Sequence, residues 1–99
     1  MAKYFLTNKA VEDLSSIWNY TKHKWTEKQA DKYYYFLLEM CSDVANNPGL
    51  GKEYDQITRG LLGIRANRHV IFFRNLSKNE IEITRILHGK MDLKKRVKE

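Results

Sequence analysis

Three histidines, a set of arginines and one cysteine are the side chains of this 99-residue chain with the reach to do chemistry. His88 is the most pointed. It closes a predicted strand, and the run Ile86-Leu87-His88-Gly89-Lys90-Met91-Asp92-Leu93 then passes through glycine into a short helix-like segment and a basic end. An imidazole so placed can act as an acid or base near neutral pH. It can equally do no more than hydrogen-bond the turn that opens the tail. Arg65, Arg68, His69, Arg74 and Arg85 share the same predicted strands. Arginine grips phosphate or carboxylate through two parallel N–H bonds. Several of these on one open sheet face would form an anion-binding surface for nucleic acid or an acidic protein; scattered, they only solubilise. Alternation puts Arg85 with Ile81 and Ile83 on the presumed core face. Either a bulge re-aims it or a carboxylate pairs with it, with Glu53 or Asp55 as candidate partners.

Several chemistries find no support. His23 and His69 lack a metal-site spacing, and no P-loop, dinucleotide fingerprint, nucleophile motif or pair of cysteines is present. Cys41 lies in an apolar helical stripe and reads as a small core hydrophobe. No metal or cofactor is therefore expected. A chain with one cysteine fits a reducing compartment. The start, Met1 to Asn8, has no apolar stretch of signal-peptide type. No apolar run approaches the roughly 18 residues that a membrane helix requires. The expectation is a cytoplasmic protein with no membrane partner. The net charge of +6 favours nucleic acid or an acidic protein as partner. The excess is steepest at the end, where Lys90, Lys94, Lys95, Arg96 and Lys98 face only Asp92 and Glu99.

The elements that must position these groups follow from periodicity. Residues 3–6 read as a strand. Thr7 or Asn8 then caps a helix over about 8–24 with Val11, Leu14, Ile17 and Trp18 on one face. Thr26-Glu27-Lys28-Gln29 is a capping box that restarts the chain as a second helix, and Asn46-Asn47-Pro48-Gly49 stops it. With so few residues between them, the two helices fold back as an antiparallel hairpin. Residues 46–60 form a polar connection. Strands follow at roughly 61–66, 69–74 and 80–88, with Asn75 to Asn79 as a turn. The order β-α-α-β-β-β predicts one domain over 1–99, an α+β fold of two layers with the helical hairpin packed on an antiparallel sheet whose other face stays partly open.

Seven aromatic residues crowd the helices: Trp18, Tyr20, Trp25, Tyr33, Tyr34, Tyr35 and Phe36. Tyr33 to Phe36 sweep nearly a full turn, so some must face outward. Outward tyrosines mark a protein interface or wrap neighbouring loops. The hairpin is thus a candidate partner-binding surface.

The chain resembles the ParE toxins of the RelE/ParE superfamily across nearly its whole length. The markers are Leu6-Thr7 with Ala10 and Asp13-Leu14, Trp25 at the end of the first helix, Asn47-Pro48 and Gly51 after the second, His69-Val70-Ile71-Phe72 on a strand, and Arg85-Ile86-Leu87-His88 with Met91-Asp92-Leu93. The resemblance implies the toxin of a bacterial type II toxin–antitoxin system, of the kind that maintains plasmids or chromosomes. Such a toxin acts by binding rather than by chemistry of its own. It inhibits DNA gyrase by stabilising cleaved DNA complexes and is neutralised by a ParD-like antitoxin. DNA is met only indirectly, through gyrase or the toxin–antitoxin operator complex. The gyrase-facing surface is then expected at His88, Lys90, Met91, Asp92, Leu93, Lys94, Lys95 and Arg96. The antitoxin is expected on Trp18, Tyr20, Tyr34, Tyr35, Arg65 and Arg85. RelE-like toxins, which share the fold, cut messenger RNA on the ribosome. That alternative would rest on His88, His69 and the sheet arginines, because no tyrosine follows Tyr54.

Overall fold

Two threonines start the helices. Thr7 accepts the amide of Ala10 at the head of α1 (Asn8–Lys24), and Thr26 accepts the amide of Gln29 at the head of α2 (Glu27–Asn46). Each satisfies one donor that the first helical turn leaves without a partner. Trp25 and Thr26 alone separate the helices, which forces the antiparallel hairpin. The computed structural model describes residues 2–98. Its strands are β1 (Lys3–Leu6), β2 (Lys52–Glu53), β3 (Leu62–Ala66), β4 (His69–Ser77) and β5 (Glu80–His88), followed by a short helix α3 (Leu93–Val97).

The expected two-layer α+β architecture is the one found, with four differences of detail. The sheet order is β1-β5-β4-β3-β2, and β1 runs parallel to β5, so the sheet is mixed rather than antiparallel throughout. The helical hairpin carries the chain from β1 at one edge of the sheet to β2 at the other, and the meander of β3, β4 and β5 returns to pair with β1. The connection after α2 is not bare: Pro48–Leu50 makes a 3-10 turn, and β2 adds an edge pairing to β3. The strand β4 runs on to Ser77, so the expected turn over 75–79 shrinks to its last two residues. The second sheet face is also more covered than expected. Tyr54, Ile57 and Leu61 of the connection, and Leu93 and Val97 of α3, pack there on Val70, Phe72 and Leu87.

The main core lies between hairpin and sheet. Ala10, Leu14, Leu37, Cys41 and Val44 face Ile71, Phe73, Ile81, Ile83 and Ile86. Alternation explains the strand faces until β5 reaches Thr84. There the register slips: Phe73 pairs with Ile83, but Phe72 pairs with Arg85, which leaves Thr84 as an extra residue. Such a bulge reverses which face the following residues use. Ile86 therefore joins the hairpin-side core and Leu87 the opposite cluster. Thr7 holds the bulge from α1, its hydroxyl donating to the Thr84 carbonyl at 2.8 Å.

Candidate functional site

Arg85 is freed from the core by that bulge. It forms a two-pronged ion pair with Asp13 of α1: Nε to Oδ2 at 2.8 Å and Nη2 to Oδ1 at 3.0 Å. The Ile86 amide also donates to Asp13 Oδ2 at 3.0 Å. Both side chains are nearly buried, 12% and 13% exposed. The partner is thus Asp13, not Glu53 or Asp55; Asp55 instead accepts the Gly60 amide. A signal for this was present in the sequence. Asp13 follows Ala10 by three residues and precedes Ile17 by four, which puts a carboxylate on the buried stripe of α1. Arg85 also donates through Nη1 to the Arg96 carbonyl at 2.6 Å, tying α1, β5 and α3 together. The role this geometry gives Arg85 is a strut.

At the end of the sheet where β5 finishes, a groove of about 750 Å³ opens between the hairpin, the β3–β4 turn and the residues after β5. Helix positions one or two turns apart bring Tyr20 and Trp25 from the end of α1 to face Tyr33 and Phe36 of α2. His69 begins β4 and His88 ends β5. They are direct cross-strand partners with rings 5.3 Å apart, and both line the groove. Lys32, Arg68 and Lys90 contribute exposed cations. Among the described residues no aspartate or glutamate lines it.

The histidines are held by local bonds. His69 Nδ1 lies 2.6 Å from the Tyr33 hydroxyl. Burial, with the neighbouring His88 and Arg65 adding to it, pushes the His69 pKa down to about 4. Burial raises the Tyr33 pKa, so the phenol keeps its proton. A neutral His69 thus shares a hydrogen bond at Nδ1 with the Tyr33 hydroxyl, which also lies 3.4 Å from the Ala66 carbonyl. His88 Nδ1 accepts the Lys90 amide at 3.1 Å, and the Gly89 amide donates to the Arg68 carbonyl at 2.9 Å. A Cβ at Gly89 would stand 2.8 Å from an Arg65 guanidinium nitrogen, so glycine lets that side chain pass beneath the turn. At neutral pH His69 holds no imidazolium proton to give, and Nδ1 of each ring is engaged. The arrangement suits apolar contact with a basic border.

The residues singled out in the sequence are divided by the fold. Among the tail group, His88, Lys90 and Met91 line the groove. Asp92 caps α3 by accepting the Lys95 amide. Leu93 turns inward onto the second cluster, while Lys94, Lys95 and Arg96 are exposed on α3. Of the residues expected to meet the antitoxin, only Tyr20 lines the groove. Trp18 donates its indole N–H to Asp31 at 2.9 Å with Lys22 over its ring, latching the hairpin on its outer side. Tyr34 packs against the main core, and Tyr35, 66% exposed, meets it edge to face. Arg65 donates to the Asn67 carbonyl. Sequence reasoning did not bring Trp25, Tyr33, Phe36 and His69 together as one site. The bond of Tyr33 to a residue 36 positions away has no local signal. Cys41 is buried and its thiol pushed up to about 12, which makes it inert. Among the described residues no cluster suits a metal ion.

Residues 4–93 match the family model described as "ParE toxin of type II toxin-antitoxin system, parDE". A protein of Mycobacterium tuberculosis (strain H37Rv), "Toxin ParE1", is 32% identical over 92 residues, covering 93% of this chain and 94% of the relative. "Toxin ParE1" of Caulobacter vibrioides is also 32% identical over 92 residues with the same coverage. "Toxin ParE" of Escherichia coli is 29% identical over 97 residues, covering 98% of this chain and 94% of its own. A solved structure described as the chromosomal ParDE system from P. aeruginosa shares the fold, with a TM-score of 0.75 at 21% identity over 89% of this chain and 96% of that one.

Proposed function

The chain belongs to the ParE toxins of type II toxin–antitoxin systems, and on that premise we propose that it inhibits DNA gyrase by binding, stabilising cleaved DNA complexes. A ParD-like antitoxin neutralises it. The family match over residues 4–93 is the observation that carries this reading. The groove supports the antitoxin part. Its aromatic walls and its border of Lys32, Arg68 and Lys90, with no acid among the described lining residues, suit an apolar segment that carries acidic side chains. The gyrase-facing surface then takes in Lys90, Met91 and the exposed cations of α3. No residue is assigned a catalytic step; Nδ1 of each groove imidazole is already bonded within the chain. Action on gyrase requires a cytoplasmic location. Among the described residues no helix is long and apolar enough to cross a membrane.

One observation favours the ribosome-dependent messenger RNA endoribonuclease as a second reading: two imidazoles and three cations share one groove. The experiment that separates the readings adds purified protein to gyrase, DNA and ATP, with programmed ribosomes in parallel. Cleaved DNA complexes with intact transcripts are the expected result. Cut transcripts with gyrase unaffected would reject gyrase inhibition. In that event His88→Ala should slow cleavage by about 10²–10⁴-fold if the imidazole is the acid or base.

A further inference from the structure

On the second face of the sheet, where β1 gives way to α1, a separate cavity of about 270 Å³ is lined by Thr7, Lys9, Thr58, Arg74, Thr84, Arg85 and Lys98 with Leu61 and Val97. Four cationic residues line it, and no carboxylate does among the described residues; the Thr7 and Thr84 hydroxyls already donate to the Thr84 and Phe72 carbonyls. Arg85 is committed to Asp13 and shapes the wall. The charge is supplied by Lys9, Arg74 and Lys98, none of which has a described carboxylate within 4.0 Å. Thr58 is half-buried at the mouth, and the first turn of α1 adds the positive end of its dipole. Three cationic residues lining one cavity without a carboxylate partner raise the local positive potential and favour an anion there. Lys94 and Lys95 on the adjoining α3 extend the same sign of charge beyond the cavity.

We propose that this cavity seats a backbone phosphate of nucleic acid, with α3 following the neighbouring phosphates. The toxin would then touch DNA directly, beyond the indirect contact that the sequence suggested. The exposed Lys94 and Lys95, just outside the cavity, favour a polyanion over a single free phosphate. Phosphate contacts of this kind carry no sequence preference but a marked salt dependence.

The test measures binding of a short labelled duplex to the full-length toxin alone, without gyrase, over a range of salt. Lys9→Gln with Arg74→Gln should weaken binding by about tenfold and reduce the slope of log K against log salt by about one per cation removed. Lys28→Gln with Lys78→Gln, the same charge change away from the cavity, should leave both nearly unchanged. Should Arg74→Gln lower folding stability, Lys9→Gln with Lys98→Gln, both exposed, carries the same test. Inorganic phosphate and polyglutamate serve as competitors. Absence of duplex binding, equal losses in the two double variants, binding of phosphate without duplex, or polyglutamate competing as well as DNA would each overturn the proposal. Because gyrase is absent, failure here leaves the gyrase reading standing, and failure of that reading leaves this one.

Discussion

A single ion pair fixes the junction of three elements. Asp13 takes two prongs of Arg85 and the Ile86 amide, and Arg85 reaches on to the Arg96 carbonyl. Removing one member of a nearly buried pair leaves the other charge uncompensated, at a cost of about 3–5 kcal/mol. Asp13→Ala should therefore lower unfolding free energy by that order in denaturant titration; a loss under about 1 kcal/mol would show that the pair is merely superficial. His69 makes the second prediction at this scale. Its folded pKa of about 4 lies below the ordinary 6.5, so the unfolded chain takes up a proton first as pH falls. The stability that a neutral His69 confers is complete above about 6.5 and is lost as pH drops toward 4. His69→Gln should flatten stability against pH across that window relative to the wild type. Curves that stay parallel would mean the imidazole does not titrate differently on unfolding.

At the scale of elements, α3 combines two roles that deletion would confuse. Leu93 and Val97 cover Leu61, Val70, Phe72 and Leu87, whereas Lys94, Lys95 and Arg96 point to solvent. Removing residues 90–99 would strip the second cluster as well as the charge. Substitution separates them. Leu93→Ala should destabilise by about 2–3 kcal/mol, at the low end for a buried leucine because the site is half-exposed. Lys94→Gln with Lys95→Gln should leave the melting temperature within a few degrees but reduce toxicity and gyrase-dependent DNA cleavage. Full activity in this charge variant would remove α3 from the gyrase-facing surface. The bulge at Thr84 is the other element-level device. One extra residue sends Arg85 to the edge and Ile86 to the core, which strict alternation has no means to produce.

The whole molecule presents two surfaces of different character: an aromatic groove at the end of the helical hairpin, and a small basic cavity on the opposite sheet face beside α3. Their residues predict separable phenotypes. Tyr20→Ala with Trp25→Ala, both about two-thirds exposed, should weaken antitoxin binding by at least tenfold while leaving the fold intact by circular dichroism. Trp18→Ala and Tyr35→Ala lie outside the groove and should do much less. Equal losses from both pairs would place the antitoxin along the hairpin rather than in the groove.

The chain alone determined the two long helices, their caps and four of the five strands, because capping hydroxyls, apolar periodicity and proline act between neighbours. It also carried the family signature, whose members turn out to be joints of the fold: Thr7 on the bulge, Asp13 on Arg85, His69 beside His88. Only the tertiary structure decided that β1 pairs parallel with β5, that Asp13 answers Arg85 across 72 residues, and that Tyr33 bonds His69 on the wall of a groove. Each of these is a contact between distant segments. Its energy depends on which surfaces the hairpin and sheet bring together, and no local pattern records that choice.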